Sequence, residues 1–344
     1  MICPVFLPHL GCGQRCTYCD QTYITEIDRI NPKEMIENAL SHGKSGYEVG
    51  LYGGNIFGIE PSLLNTIFSC FYEYRDEITN FRVSTKPVPL DDEVISILKR
   101  NNVTVIELGI PTFNDDILRK LNRGHTVEDL YRAYKRLKQE GFCLALQVMV
   151  GLPHESVEDT IRTVDNIIML HPDYIRIYPL AIIEGTPLWI DYKEGRFIPL
   201  GFEDAVLRSL YIYLNALYHH IKVVKMGLTD NEIIKEKIKG GFYHPAFGSI
   251  VKSEGFYIAI LTKAKRQGLK GNIKVMVNKR DIPHVFGYRR KNIERFKGHG
   301  IHIEPLSGDI EQGAFILYKN DMELHGHIYD AIEDLENKGF VRGR

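Results

Sequence analysis

No apolar run in this 344-residue chain approaches the roughly 18 residues of a membrane-spanning helix, so no transmembrane segment is expected. The N-terminus lacks a basic segment and a small-residue cleavage site, so no secretory signal is expected. Internal repeats and low-complexity tracts are missing, which excludes a solenoid or a disordered linker. Cysteines number only six, too few to staple a chain of this length, and three of them are clustered. That usage fits a reducing compartment, and a cytoplasmic location is expected. Cys3, Cys70 and Cys143 stand in apolar contexts and read as buried small hydrophobes.

The other three, Cys12, Cys16 and Cys19, form a C-x₃-C-x₂-C loop in GCGQRCTYCDQ, just after the apolar Val5-Phe6-Leu7. Iron–sulfur clusters are held by cysteine thiolates. Three thiolates on a four-iron cube leave one iron open for another ligand. Gly11 and Gly13 allow such a loop to wrap closely. The plainer readings are three free thiols or half of a zinc site. A structural zinc site takes four N/S ligands with C-x₂-C pairing; His9 offers a fourth ligand, but the x₃ gap is unusual for zinc.

Net charge is −1, yet it is unevenly distributed. From Lys239 to His299 there are 14 Lys and Arg against 3 Asp and Glu, leaving 29 against 41 elsewhere. An acidic body with a basic C-terminal module predicts a catalytic domain with an anion-binding appendage.

Strand-like runs near Cys3–Leu7, Glu48–Tyr52, Phe81–Thr85, Val103–Gly109, Cys143–Val150 and Tyr174–Tyr178 alternate with amphipathic helical stretches. The helices are expected near Pro32–Ser41, Ser62–Tyr74, Asp92–Arg100, Asp115–Leu121, Val127–Glu140 and Val157–Leu170. Asn31-Pro32 marks one helix start, and Thr126 and Ser156 open capping-box sequences. Six β/α units predict an α/β fold with a parallel sheet curled into a barrel. A complete eight-unit barrel takes roughly 250 residues; the shorter stretch here predicts a partial (β/α)₆ barrel. Helices are also expected at Phe202–Tyr218 and Thr229–Ile238. The glycine-rich stretch Gly240–Gly248 is the expected boundary between a first domain, 1–240, and a basic α+β domain, 241–344.

Taken in order, these segments resemble the radical S-adenosylmethionine (radical SAM) superfamily. Tyr18 before the last cysteine, Gly53-Gly54-Asn55 after strand 2, STKPVPL after strand 3, VIELGIPTF and LNRGHT after strand 4, QVMVGLPHE and RIYPLAIIEGTPL carry the resemblance. They are similar to the radical SAM domain of the Elongator catalytic subunit and, more distantly, to oxygen-independent coproporphyrinogen III oxidase. The resemblance implies a 4Fe–4S cluster on Cys12, Cys16 and Cys19, and S-adenosylmethionine (SAM) on the open iron. It also implies SAM contacts at Gly53, Gly54 and Asn55 with the amino group, at Ser84, Thr85 and Glu107 with ribose, and at Gly151 beside the adenine. Plainer readings stand beside these: a strand-to-helix turn at Gly53-Gly54, turn capping by Ser84 and Thr85, and an ion pair of Glu107 with Arg82 or Lys86. Arg123-Gly124-His125 reads as a helix stop with Gly124 just past the end; a substrate or cofactor role for His125 is the other reading.

The last hundred residues lack a clear acetyl-CoA pyrophosphate loop, which departs from the Elongator subunit. Instead they read β-α-loop-α-β-β-α, the order of a KH RNA-binding module. The loop is Gly287-Tyr288-Arg289-Arg290, with Lys291 opening the next helix and Met322–Asn337 as the final helix. Gly287, Arg289, Arg290 and Lys291 are the expected RNA contacts; a basic solvated face is the plainer reading. Three functions follow: a radical SAM enzyme modifying an RNA base in tRNA or rRNA, one acting on a small anionic metabolite such as a tetrapyrrole, or a non-catalytic iron–sulfur or RNA-binding protein. The expected partners are RNA and an electron donor such as ferredoxin or flavodoxin.

Overall fold

The computed structural model describes residues 2–21, 46–228 and 236–340. Pro32–Ser41, with its Asn31-Pro32 start, lies outside the described residues, as does most of Thr229–Ile238; Ile238 itself opens a strand.

Seven parallel strands form the main sheet, in the order β1 (Ile2–Phe6), β2 (Tyr47–Tyr52), β3 (Ile78–Thr85), β4 (Val103–Gly109), β5 (Cys143–Val150), β6 (Tyr174–Pro179) and β8 (Lys222–Met226). Between β6 and β8 in sequence, the short β7 (Ala181–Ile183) pairs antiparallel with β9 (Ile238–Gly241). The helices α1 (Pro61–Ser69), α2 (Asp92–Arg100), α3 (Asp115–Lys120), α4 (Val127–Gln139) and α5 (Val157–Leu170) connect the strands and cover one face. Both capping boxes form: Thr126 and Ser156 accept from the backbone N–H of Asp129 and Asp159, whose carboxylates reach back. α3 stops sooner than its sequence suggests. Asn122, at φ 55°, takes the left-handed position after the cap, ahead of Gly124.

Alternation along each strand sends Val49, Leu51, Val83, Ile106, Leu108, Leu146 and Ile177 into the core under the helices. The opposite face carries Glu48, Arg82, Glu107, Gln147 and Arg176. A flat parallel sheet buried on both sides would be apolar on both. Here the polar face is the inside of a curl: Arg176 of β6 donates to the Tyr52 hydroxyl of β2 (3.2 Å), across three intervening strands. The protein is therefore an α/β partial barrel, as expected, with one more strand than the six read from sequence. β8 was missed because Lys222-Val-Val-Lys-Met226 is a short edge strand with little alternation.

After β7 come α6 (Pro187–Lys193), α7 (Phe202–Tyr218) and, past β8 and β9, the long α8 (Phe247–Arg266). α7 packs on both α5 and α8. The C-terminal segment is a four-stranded sheet, β11 (Ile301–Gly308), β10 (Gly271–Asn278), β12 (Ala314–Lys319) and β13 (Met322–His327), with α9 (Ile282–Phe286) and α10 (Lys291–Gly298) between β10 and β11. β13 replaces the first part of the helix expected over Met322–Asn337. Lys319 and Met322 pair, so Asn320-Asp321 is a two-residue hairpin turn with Asn320 at φ 51°. The remaining helix, α11, spans only Ala331–Glu336.

Asn292 ties this segment to α8. Its Nδ2 donates to the Ser253 carbonyl (3.0 Å) and the His284 carbonyl (3.3 Å), and the residue is 2% exposed. Asn292→Ala should lower stability by about 1–3 kcal/mol, measured by urea denaturation. A change under about 0.5 kcal/mol would remove Asn292 from that role.

Candidate functional site

The cysteine loop follows β1, at the C-terminal end of the parallel strands, where parallel barrels gather ligands. It is held from three sides. First, Gly53 and Gly54 pack under its leading arm. The Gly53 carbonyl accepts from His9 N–H (3.0 Å), so that backbone group is engaged by the loop itself. A Cβ at Gly54 would stand 2.6 Å from the Leu10 carbonyl oxygen and 2.9 Å from that of Leu7, so only glycine allows the contact.

Second, Asn55 clips the loop to the end of β3. Its N–H donates to the Leu10 carbonyl (2.8 Å), and its Nδ2 donates to the Gly11 carbonyl (3.2 Å). Its Oδ1 accepts from the Thr85 hydroxyl (2.8 Å) and Lys86 N–H (3.0 Å). Thr85 also accepts from Phe57 N–H (3.2 Å). Both Asn55 and Thr85 are buried, and their polar atoms are engaged by the protein.

Third, Arg123 reaches in from beyond α3. Its Nη1 donates to Cys16 Sγ (3.2 Å) and the Tyr18 hydroxyl (3.1 Å), and its Nη2 donates to the Gly109 carbonyl. Nothing in the sequence pointed to this, because Arg123 lies 107 residues from Cys16. Beside it, His125 is buried with neither ring nitrogen hydrogen-bonded. Burial, then the Arg123 and Lys86 charges, pull its pKa down to about 3, so the ring is neutral.

Burial raises the Cys12 thiol above its ordinary range and pushes Cys19 up to about 12, with the other cysteines adding to both. The Cys12 and Cys19 thiols thus resist ionisation by themselves; bound metal reverses that. Two donors already point at sulfur, Arg123 on Cys16 and Gln21 Nε2 on Cys19 (3.3 Å). Such N–H···S bonds tune iron–sulfur clusters. Among the described residues no three His, Cys, Asp or Glu side chains converge as a single metal ion requires. The donor set fits a cluster spread across three thiolates.

Under the loop lies the polar inner face. Glu107 is fully buried; it binds Arg82 Nη1 (3.0 Å), Arg176 Nη2 (2.9 Å) and Gln147 Nε2 (2.9 Å). Gln147 also donates to the Ser84 hydroxyl (3.0 Å), and Glu48 takes Arg82 with both oxygens (2.8 Å each). Of the two ion-pair partners the sequence offered Glu107, Arg82 is there. Lys86 instead donates to the Gln14 carbonyl (3.2 Å).

The Gly151 turn closes the C-terminal end of β5. Gly151 has φ +83° and lies beneath the Phe242 ring. Glu155 accepts from Gly151 N–H (2.6 Å) and Leu152 N–H (2.9 Å). A cavity of about 230 Å³ here is lined by this turn, His154 and Arg196–Ile198 with Leu200. A larger concavity, about 700 Å³, lies far from the cysteines, between the C-terminal ends of α7 and α8 and the start of α11.

Gly287, Arg289, Arg290 and Lys291 stand apart from the cysteine loop. Gly287 sits at φ +78° against Asn292, and Arg289 and Arg290 are both left-handed, at φ 52° and 61°. Their guanidiniums lie over the Tyr288 and Phe286 rings, and neither makes an ion pair among the described residues; Lys291 reaches Glu203 (3.7 Å). Tyr288 meets His244, two residues past the Phe242 that covers Gly151.

A radical SAM superfamily profile matches residues 7–167, and a radical SAM C-terminal domain profile matches 172–255. The chain belongs to the radical SAM superfamily. The superfamily's cofactors are a 4Fe–4S cluster and SAM. An uncharacterized Methanocaldococcus jannaschii protein, MJ0486, is 28% identical over 239 residues, covering 68% of this chain and 72% of its own. The tRNA uridine(34) acetyltransferase of Methanocaldococcus infernus is 32% identical over 127 residues, covering 36% of this chain and 24% of its own. A Thermotoga petrophila tRNA-2-methylthio-N(6)-dimethylallyladenosine synthase is 22% identical, covering 68% and 55%. The chain thus spans less than two thirds of either tRNA-acting relative. The solved structure of archaeal M. infernus Elp3 shares the fold, with a TM-score of 0.56 at 18% identity over 96% of this chain and 76% of that one. No helix among the described residues is long and apolar enough to cross a membrane.

Glu155 supplies a pH test. Burial pushes its pKa from 4.5 up to about 7, against the opposing Arg208 charge and two backbone N–H bonds. A raised folded-state value makes this group's stabilisation complete below pH about 4.5 and lost as pH rises to about 7. Glu155→Gln should flatten stability across that window by on the order of 3 kcal/mol, read from urea midpoints at several pH values. An unchanged slope would mean that Glu155 titrates normally.

Proposed function

We propose that this protein is a radical SAM enzyme that modifies an RNA base. The observation carrying it is the three-cysteine loop at the barrel mouth, open onto a polar interior. When bound there, a 4Fe–4S cluster would supply the one electron needed for reductive cleavage of SAM to methionine and a 5′-deoxyadenosyl radical able to take hydrogen from substrate.

The chain's own residues do the rest. Cys12, Cys16 and Cys19 would hold the cluster, and Arg123 and Gln21 would hydrogen-bond its sulfurs. Gly53 and Gly54 let the loop lie against the end of β2, where the SAM amino group is expected. Ser84, presented inward beside Gln147, and Glu107 behind it are the ribose-side groups. Asn55 and Thr85 act by fixing the loop to β3. The Gly151 turn, under Phe242, would border the adenine.

RNA as substrate is supported by the named tRNA-acting relatives and by the basic loop. Arg289 and Arg290 are exposed and without an ion-pair partner among the described residues, in a loop that adjoins the residues covering Gly151. Lys263, Arg266, Arg295 and Lys297 are instead engaged by acids, whereas Arg289 and Arg290 are available to phosphates.

Anaerobically reconstituted protein should hold about four irons and form 5′-deoxyadenosine from SAM when reduced. Each of Cys12→Ala, Cys16→Ala and Cys19→Ala should lose both. Four irons retained in the triple variant would refute the ligand assignment.

RNA affinity should fall with salt, at roughly −0.7 per phosphate contact on a log–log plot for single strands. Changing Arg289, Arg290 and Lys291 together to Glu should weaken binding at least tenfold. Binding that ignores the triple change would sink the loop assignment. Mass spectrometry of RNA nucleosides from a deletion strain should show a modified base disappear; intact modification would point to the small-metabolite reading.

A further inference from the structure

The seventh strand brings a charge into the barrel that no carboxylate among the described residues neutralises. Ile175 pairs in register with Val223, but Arg176 pairs with Lys225, so one residue of β8 is bulged out between them. Without the bulge, Val224 would face inward. With it, Lys225 shares the inner face with Arg176, because register partners in a sheet point the same way. Val223 and Met226 follow Ile175 and Ile177 toward the helices, and the bulged Val224 is exposed.

The inner face then carries two carboxylates, Glu48 and Glu107, against Arg82, Arg176 and Lys225. Both carboxylates are already engaged: Glu48 by Arg82, Glu107 by Arg82, Arg176 and Gln147. Lys225 is half-buried, and no carboxylate among the described residues pairs with it. Burial and then the Arg176 charge hold its ammonium below the usual lysine range, which reports that the two cations feel one another. Arg176 is oriented by Glu107 and by the Tyr178 and Tyr52 hydroxyls (3.2 Å each), and its buried Nε has no partner. A half-buried, uncompensated cation beside a fixed guanidinium is costly unless something anionic visits it. Lys222, in register with Tyr174, is exposed and solvated, so it does not share this role.

We propose that Arg176 and Lys225 form a recognition site inside the half-barrel for an anionic group of the substrate, a phosphate or a carboxylate. This rests on the reading of the polar inner face as the substrate chamber. β8 is the edge strand opposite β1, so the site is reached from the open side of the curl. A phosphate fits a nucleotide whose base is presented to the cysteine loop; a carboxylate fits a small acid.

The test uses the full chain without cluster, so it does not depend on SAM cleavage. Arg289, Arg290 and Lys291 are changed to Glu in every sample, so that phosphate at that loop does not contribute. Inorganic phosphate and acetate are titrated against chloride of equal ionic strength, followed by thermal denaturation and calorimetry. One of the two anions should stabilise the parent chain, and Lys225→Met should weaken its binding at least tenfold. Lys225→Arg, which keeps the charge, should bind within about threefold of the parent. Without anion, Lys225→Met should melt higher by about 1–3 °C, because it removes an unpaired half-buried charge. Tighter phosphate assigns the nucleotide source, and tighter acetate the small acid. Equal anion binding by parent and Lys225→Met, or no anion-specific stabilisation of the parent, overturns the proposal. Failure of SAM cleavage with anion binding intact would instead count against the enzymatic reading alone.

Discussion

Glu107 is the group on which the interior depends. It is a fully buried carboxylate, and it survives there because two guanidiniums and an amide meet it from neighbouring strands. Removing one partner of such a buried pair typically costs about 3–5 kcal/mol, since the other charge is left uncompensated. The same contacts set the curl. Arg82 comes from β3 and Arg176 from β6, and Arg176 goes on to touch Tyr52 on β2. One carboxylate therefore fixes how far the sheet closes, and a closed polar interior separates this sheet from a flat one packed on both faces.

The cysteine loop is positioned by a different principle. Its backbone carbonyls, at Leu10 and Gly11, are satisfied by Asn55, and the same amide holds the end of β3. A loop whose buried polar groups are answered by the backbone and side chain of one rigid residue keeps its shape. Arg123 adds a charge from a third element. The thiols are thus placed by three segments that are remote in sequence, and the rest of the mouth is built around that placement.

The C-terminal segment sits against the barrel without an apolar gap. Phe242, Phe247, Val251, Val275, Phe296 and Phe315 belong to one buried cluster with the strands of the main sheet. Its basic character is also less uniform than composition suggests. Several of its cations are matched by local acids, such as Arg295, which Glu254 holds with both oxygens. What remains unpaired is concentrated in exposed positions, including two consecutive left-handed arginines.

Much of this was legible in the chain. The strand–helix alternation set the order of the sheet, because period-2 and period-3.6 patterns are local. Thr126 and Ser156 announced their helices, because a cap and its box lie within four residues. The cysteine spacing put three thiols on one loop for the same reason. The short edge strand β8 and the hairpin strand β13 were not legible: one has too few residues for a pattern, and the other is decided by its pairing with β12. That Glu107 meets two arginines, that Asn55 holds the cysteine loop to β3, and that Arg123 reaches Cys16 were decided by the tertiary structure. So was the facing of Lys225, which turns on a single bulged residue. Sequence determines what lies within a turn or two of a residue. Which distant charges share a buried space is settled only when the sheet curls.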